Sequence, residues 1–171
     1  MAVNQFNLAQ HQRAERKLLL TVAEWTEGTT VERELLGRRT EDSSIEYNAD
    51  QSTSTDILGI NYTDINKTQP QQDFDPYLIL GGSKLGAKLN DIRKRNALSE
   101  LSQFTCYIIT AYVGNAVDGY EAEKHVNCTI SYNSLGGDAN VNMPISVYFS
   151  NEITNGTVNK LTEDFIFSPT V

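Results

Sequence analysis

Few side chains in this 171-residue sequence could do acid–base, nucleophilic or metal chemistry. The two histidines, His11 and His125, lie too far apart in sequence to be a ready-made metal pair, and each reads as a solvated imidazole with no partner to orient it. Cys106 and Cys128 have no Cys-x-x-Cys spacing, so neither a zinc site nor a disulfide framework is indicated, and they read as two buried free thiols. Asp73-Phe-Asp75-Pro76 offers the two carboxylates that glycoside hydrolysis needs, but carboxylates two residues apart on a polar stretch read as a turn. Gly81-Gly82-Ser83-Lys84 could hold an anion on free N–H groups at a helix start. A phosphate loop, however, requires Gly-Lys-Ser/Thr after four spacers, and Gly86-Ala87-Lys88 does not supply it. No Gly-x-Ser-x-Gly elbow, His-Glu-x-x-His helix or Cys/His nucleophile pair occurs. We therefore assign no catalytic, cofactor-binding or metal-binding residue and expect no enzyme activity and no cofactor.

Charge narrows the partners. Acidic residues outnumber basic ones 22 to 14, giving a net charge of −8 and a pI near 4.7, so most of the surface repels nucleic acid. A hydrophobic content of 39%, with eight Tyr and six Phe, is enough for a modest core. The length suits one domain with an arm: an N-terminal arm over 1–16, then a β domain over 17–171. The longest apolar stretch, Tyr107 to Val113, is interrupted by Thr110 and is far short of the ~20 residues a spanning helix needs. The first sixteen residues carry no apolar signal segment, so the expectation is a chain that stays in the cytosol where it is made, with no membrane contact.

Most segments that could position these side chains read as strands. Lys17 to Trp25 and Val31 to Leu36 form a hairpin around Gly28. Between Ser44 and Asp50 a period of two puts Ser44, Glu46, Asn48 and Asp50 on one face and Ile45, Tyr47 and Ala49 on the other. This predicts a strand with one wet side and one core side. Within 41–76 a long, polar, two-stranded excursion follows, passing through Asp56-Ile-Leu-Gly59. Ser83 caps a helix over about 83–95, with Leu85, Leu89 and Ile92 on one face. Its other faces carry Lys84, Lys88, Arg93, Lys94 and Arg95, five of the fourteen basic residues. Gln103–Val113, Lys124–Tyr132 and Val141–Phe149 read as strands, with Pro144 arguing for an edge or a bulge in the last. One or two short strands follow in Gly156–Phe167. The sum is an antiparallel β domain with a single helix packed on it. A cationic helix on an anionic chain also suits pairing between copies.

The order of Thr55-Asp-Ile-Leu-Gly59, Tyr62-Thr-Asp-Ile-Asn-Lys-Thr68, Gln72-Asp-Phe-Asp-Pro-Tyr77, Gly81-Gly-Ser-Lys84 and the basic helix resembles the tail tube (major tail) proteins of long-tailed bacteriophages. Leu98-Ser-Glu-Leu-Ser-Gln-Phe104, Cys128-Thr-Ile-Ser131 with Gly136-Gly137, and Ser150-Asn-Glu-Ile-Thr-Asn-Gly-Thr157 extend the match over about Leu18 to Phe167. The resemblance implies a β-sandwich or barrel with a flanking helix. It implies six copies closing into a ring around a β-barrel lumen, and rings stacking into a tube through which the genome leaves. It further implies a virion tail location after assembly in the host bacterial cytoplasm, with tail terminator, tape measure and distal tail proteins as partners. DNA would pass through without specific binding. On this reading Glu46, Asn48 and Asp50 face the lumen, and Lys84, Lys88, Arg93, Lys94 and Arg95 lie between subunits. The segment Gln51–Pro76 and the arm Met1–Gln12 are then candidates for stacking, ordering on assembly.

Two other readings compete. One is a monomeric β-sandwich binding carbohydrate or protein through surface aromatics such as Trp25, Tyr62 or Tyr77. The other is a small glycosidase using Asp73 or Asp75.

Overall fold

β-Branched and aromatic residues recur through the segments outside one helical stretch, and these segments satisfy their backbones in antiparallel ladders. The computed structural model describes residues 6–171. β1 (Leu19–Glu27) turns at Gly28 into β2 (Thr30–Leu35), with Val22 opposite Leu35 and Glu27 opposite Thr30. β3 (Ile45–Glu46), β4 (Asp50–Thr55), β5 (Asn61–Lys67) and β6 (Gln71–Phe74) precede the helix α1 (Lys84–Arg95). The long strands β7 (Phe104–Asn115) and β8 (Gly119–Tyr132) follow, then β9 (Ile145–Tyr148), β10 (Ile153–Val158) and β11 (Phe167–Pro169). Nine strands form one sheet in the order β2-β1-β7-β8-β9-β6-β3, with β10 on β8 and β11 on β10, while β4 and β5 pair only with each other. This is the antiparallel architecture with one flanking helix that the sequence predicts.

β8 joins two parts of the sheet. Along one edge it pairs with β7; along the other its first half pairs with β10 and its last four residues with β9. The change of partner falls at Asn127, which has a positive φ of 56° and sits where the β7–β8 register shifts. An extra residue in one strand of a pair bends it in this way.

Alternation along β1 and β7 buries both faces of the sheet. On one face Ala23, Trp25, Cys106 and Ile108 join Phe104, Ile130, Ile145 and Val147, and α1 covers them with Leu85, Leu89 and Ile92, each fully buried. On the other face Val22, Tyr107, Ile109 and Ala122 are covered by the C-terminal segment through Phe165. That segment is held by a stack: Phe165 and Phe167 lie edge-on to Tyr107, and the Arg33 guanidinium sits 4.2 Å from the Phe165 ring while donating to the Phe165 carbonyl and to Glu24.

α1 starts where the sequence places it. Ser83 Oγ accepts from the Gly86 N–H at 3.2 Å and donates to Glu34, whose other oxygen accepts from the Leu85 N–H at 2.5 Å. Tyr77 donates its phenol to the same carboxylate at 3.0 Å, so β2 anchors the helix N-terminus. Burial, with the adjacent Glu34 charge, holds the Tyr77 phenol well above its ordinary pKa.

Two expectations need correction. Pro144 does not lie within an edge strand: it precedes β9, an interior strand between β8 and β6, and its carbonyl accepts from Asn133. Its missing donor costs nothing there because the ladder begins one residue later. The alternating strand over Ser44–Asp50 is also broken. β3 covers only Ile45 and Glu46, and Asn48 adopts a left-handed conformation at φ 47° that turns the chain into β4. Ile45 is partly buried against the core, but Tyr47 and Ala49 are exposed, so the expected core face is not formed. A left-handed residue reverses the pleat, and asparagine tolerates that conformation.

Candidate assembly surfaces

The chain from Ile45 to Phe74 is a continuous ribbon built on β3 and β6. Beyond Glu46 opposite Gln71, the Gln69 N–H donates to the Tyr47 carbonyl and the Asn48 amide to the Gln69 carbonyl, and β4 and β5 then pair out to Thr55 opposite Asn61. Every residue of β4 and β5 is exposed. Polar residues at eleven of the thirteen positions, all but Tyr62 and Ile65, explain why the ribbon packs on nothing: it has little apolar surface to bury. Glu46, Asn48 and Asp50 all lie exposed at the base of this ribbon.

At its tip the composition inverts. The Asp56 carboxylate accepts from the Leu58 and Ile60 N–H groups at 2.8 and 2.9 Å and from the Tyr62 phenol at 3.1 Å, and these bonds lower its pKa. The clasp leaves Ile57 fully exposed and Leu58 78% exposed, with Ile60 and Ile65 also largely in water. The only sequence signal for this was the Ile57-Leu58 pair inside a polar run.

The cations of α1 are mostly satisfied within the chain. Lys84 meets Glu32 at 2.6 Å, Lys88 meets Glu27 and Glu100 at 3.2 and 3.3 Å, and Arg95 bridges Asp91 and Glu100 at 2.6 and 2.9 Å. The Arg95 and Lys88 donors pull the Glu100 pKa down to about 2. Arg93 donates to the Asn90 side chain, and among the described residues neither Arg93 nor Lys94 has an ion-pair partner. Sequence reasoning grouped these five cations together. The structure separates three that brace the fold from two that remain exposed, because Glu27, Glu32 and Glu100 come from elements far along the chain.

Beside α1 lies an apolar groove of about 440 Å³. Ile79, Leu135 and Val141 form its half-exposed walls, buried Met143 its floor, and Gly86 and Ala87 of α1 its third side. Nothing in the sequence pattern points to it, since its walls come from two loops far apart in the chain and a helix.

The remaining candidates resolve as structure. Asp73 accepts from Gln71 and Asp75 from Asn142, and both are exposed. Cys106 and Cys128 are buried free thiols, as expected. His11 is exposed, but His125 is not the solvated imidazole the sequence suggested. It is 2% exposed, with Nδ1 2.9 Å from the Ser150 carbonyl, Nε2 3.3 Å from Glu123, and its ring edge-on to Phe149. Of the three aromatics named for a carbohydrate-binding reading, Trp25 and Tyr77 are buried in the core and Tyr62 is exposed. Part of the arm is docked: Phe6 bridges to Val113 and Asn7 donates to the Tyr112 carbonyl. Residues 1–5 lie outside the described residues. No described helix is long and apolar enough to cross a membrane, and no cluster of three or more metal-ligating side chains occurs among the described residues.

No family profile matches the sequence, and no characterised protein resembles it in sequence at a significant level. In structure it is similar to chains of contractile tail-like particles. It aligns with a chain of the anti-feeding prophage tube-terminating cap at a TM-score of 0.52 and 14% identity, over 92% of this chain and 99% of that one. It aligns with a chain of an extracellular contractile injection system, in the sheath–tube complex in its extended state, at 0.50 and 13% identity, over 86% and 94%. A chain of the anti-feeding prophage baseplate, reconstructed with six-fold symmetry, gives 0.50 and 9% identity over 90% and 100%. The chain thus has the fold of these neighbours over 86–92% of its length.

Proposed function

We propose that this chain is a structural tail protein that polymerises as stacked hexameric rings into a tube, an acidic-lined conduit for genome ejection. The observation that carries the reading is the likeness along nearly the whole chain to proteins whose particles comprise caps, tubes and baseplates. A head-to-tail contact between copies is heterologous, and it closes into a ring when the rotation allows. The outer strand β2 leaves one ladder edge unpaired within the chain, and such an edge is a ready joint for a neighbouring copy.

In this reading Glu46, Asn48 and Asp50 coat the bore, where negative and neutral polar groups keep phosphate off the wall. Their exposure at the ribbon base supports the placement. Of the helix cations, Arg93 and Lys94 are the ones available to a neighbour, whereas Lys84, Lys88 and Arg95 brace their own chain. Tail terminator, tape measure and distal tail proteins would bind the ends and the interior of the tube. Electron microscopy of the concentrated protein tests the proposal: rings or tubes with six-fold symmetry are expected, and a field of isolated monomers at every concentration would overturn it.

A further inference from the structure

Among the described residues, the ribbon tip exposes Ile57 and Leu58, and the groove beside α1 exposes Ile79, Leu135 and Val141. An apolar projection and an apolar recess on one molecule that cannot meet within it are complementary between copies. Resting on the self-assembly proposed above, we infer that Ile57 and Leu58 of one copy seat in the Ile79–Leu135–Val141 groove of the next, with Asp64 of the ribbon reaching Lys94 of α1.

Charge and spacing set this register. The ribbon from Glu46 to Lys67 carries four carboxylates and one lysine, and Asp64 has no ion-pair partner among the described residues. The unpaired cations of α1 begin at the groove: Asn90 lines it, Arg93 is tied to Asn90 at 2.9 Å, and Lys94 is one helical turn beyond. From Ile60 to Asp64 a strand rises about 14 Å. From Gly86 on the groove wall to Lys94 a helix rises about 12 Å. With the tip seated against Gly86, Asp64 therefore lies abreast of Lys94, and Tyr62, on the same ribbon face as Asp64, lies along Ala87 and Asn90. The Asp56 clasp holds the tip in place before docking, so little ordering entropy is lost on contact.

The test uses the full chain with a photo-crosslinking phenylalanine derivative replacing Leu58, prepared as a mixture of ¹⁴N- and ¹⁵N-labelled protein, irradiated, digested and mapped by mass spectrometry. Cross-links between differently labelled chains, from position 58 to segments 79–90 or 135–143, are expected. In parallel, Leu58→Asp and Val141→Asp should each lower the pelleted polymer at least tenfold with an unchanged circular dichroism spectrum, and Leu135→Asp provides a second groove variant. Polymer formation equal to wild type in these variants, or cross-links confined to other surfaces, overturns the docking while leaving self-assembly standing. Tip-to-groove cross-links without rings or tubes support the docking and remove the tube. Absence of both polymer and interchain cross-links overturns both.

Discussion

At the scale of single residues, the chemistry-bearing side chains have been recruited to structure. Burial alone would lower the His125 pKa, but the Glu123 carboxylate and the Ser150 carbonyl, with the nearby Cys128 sulfur, outweigh it and hold the imidazole above its ordinary value of 6.5. A group whose folded pKa is raised adds stability that is fully present below its unfolded pKa and is lost as pH rises through the folded value. As pH rises above the unfolded value of about 6.5, the wild-type denaturation midpoint is therefore expected to fall more than that of His125→Gln. Parallel curves for the two proteins would show that folding does not raise the His125 pKa. The sequence could not reveal this role, because Ser150 and Phe149 reach the imidazole only once β8 has paired with β10 and the chain returns past its end.

At the scale of elements, α1 shows what a sequence makes readable. Its cap and its apolar face are local properties, set by spacings of three and four residues, and both occur as read. Leu89→Ala should cost about 2–5 kcal/mol, because the side chain is fully buried on the β face and the void cannot collapse freely. Ser83→Ala should cost about 0.5–2 kcal/mol from the lost cap. Chemical denaturation of the two variants checks both values, and near-equal losses would mean that the helix is held by its end rather than by its face. The ribbon illustrates the opposite case. Period-two alternation over Ser44–Asp50 predicted a strand with a core side, but alternation reports side-chain polarity only, and one left-handed asparagine redirects the pleat. The salt bridges of α1 were invisible for a related reason: Glu27, Glu32 and Glu100 are brought to it by tertiary packing, which no local pattern encodes. The groove is the extreme instance, made from residues at 79, 135 and 141 that share no spacing rule.

At the scale of the whole molecule, the excess of carboxylates is the property most closely tied to the proposed conduit. Assembled wild-type protein is expected to leave duplex DNA in the supernatant in a pelleting assay at low salt, and assemblies of Glu46→Lys/Asp50→Lys are expected to carry it down. Equal recovery of DNA with both would remove these two residues from the bore. The whole molecule also inherits a property from β8, the strand that pairs with β7 from Gly119 to Cys128 and exchanges β10 for β9 at Asn127. Because one covalent segment contributes to both sides of the sheet, neither hydrophobic layer can melt and leave the other intact. Heating should therefore give a single calorimetric endotherm, with van't Hoff and calorimetric enthalpies that agree, and a subunit so built would transmit a pull on its ribbon as an all-or-none event rather than by gradual fraying.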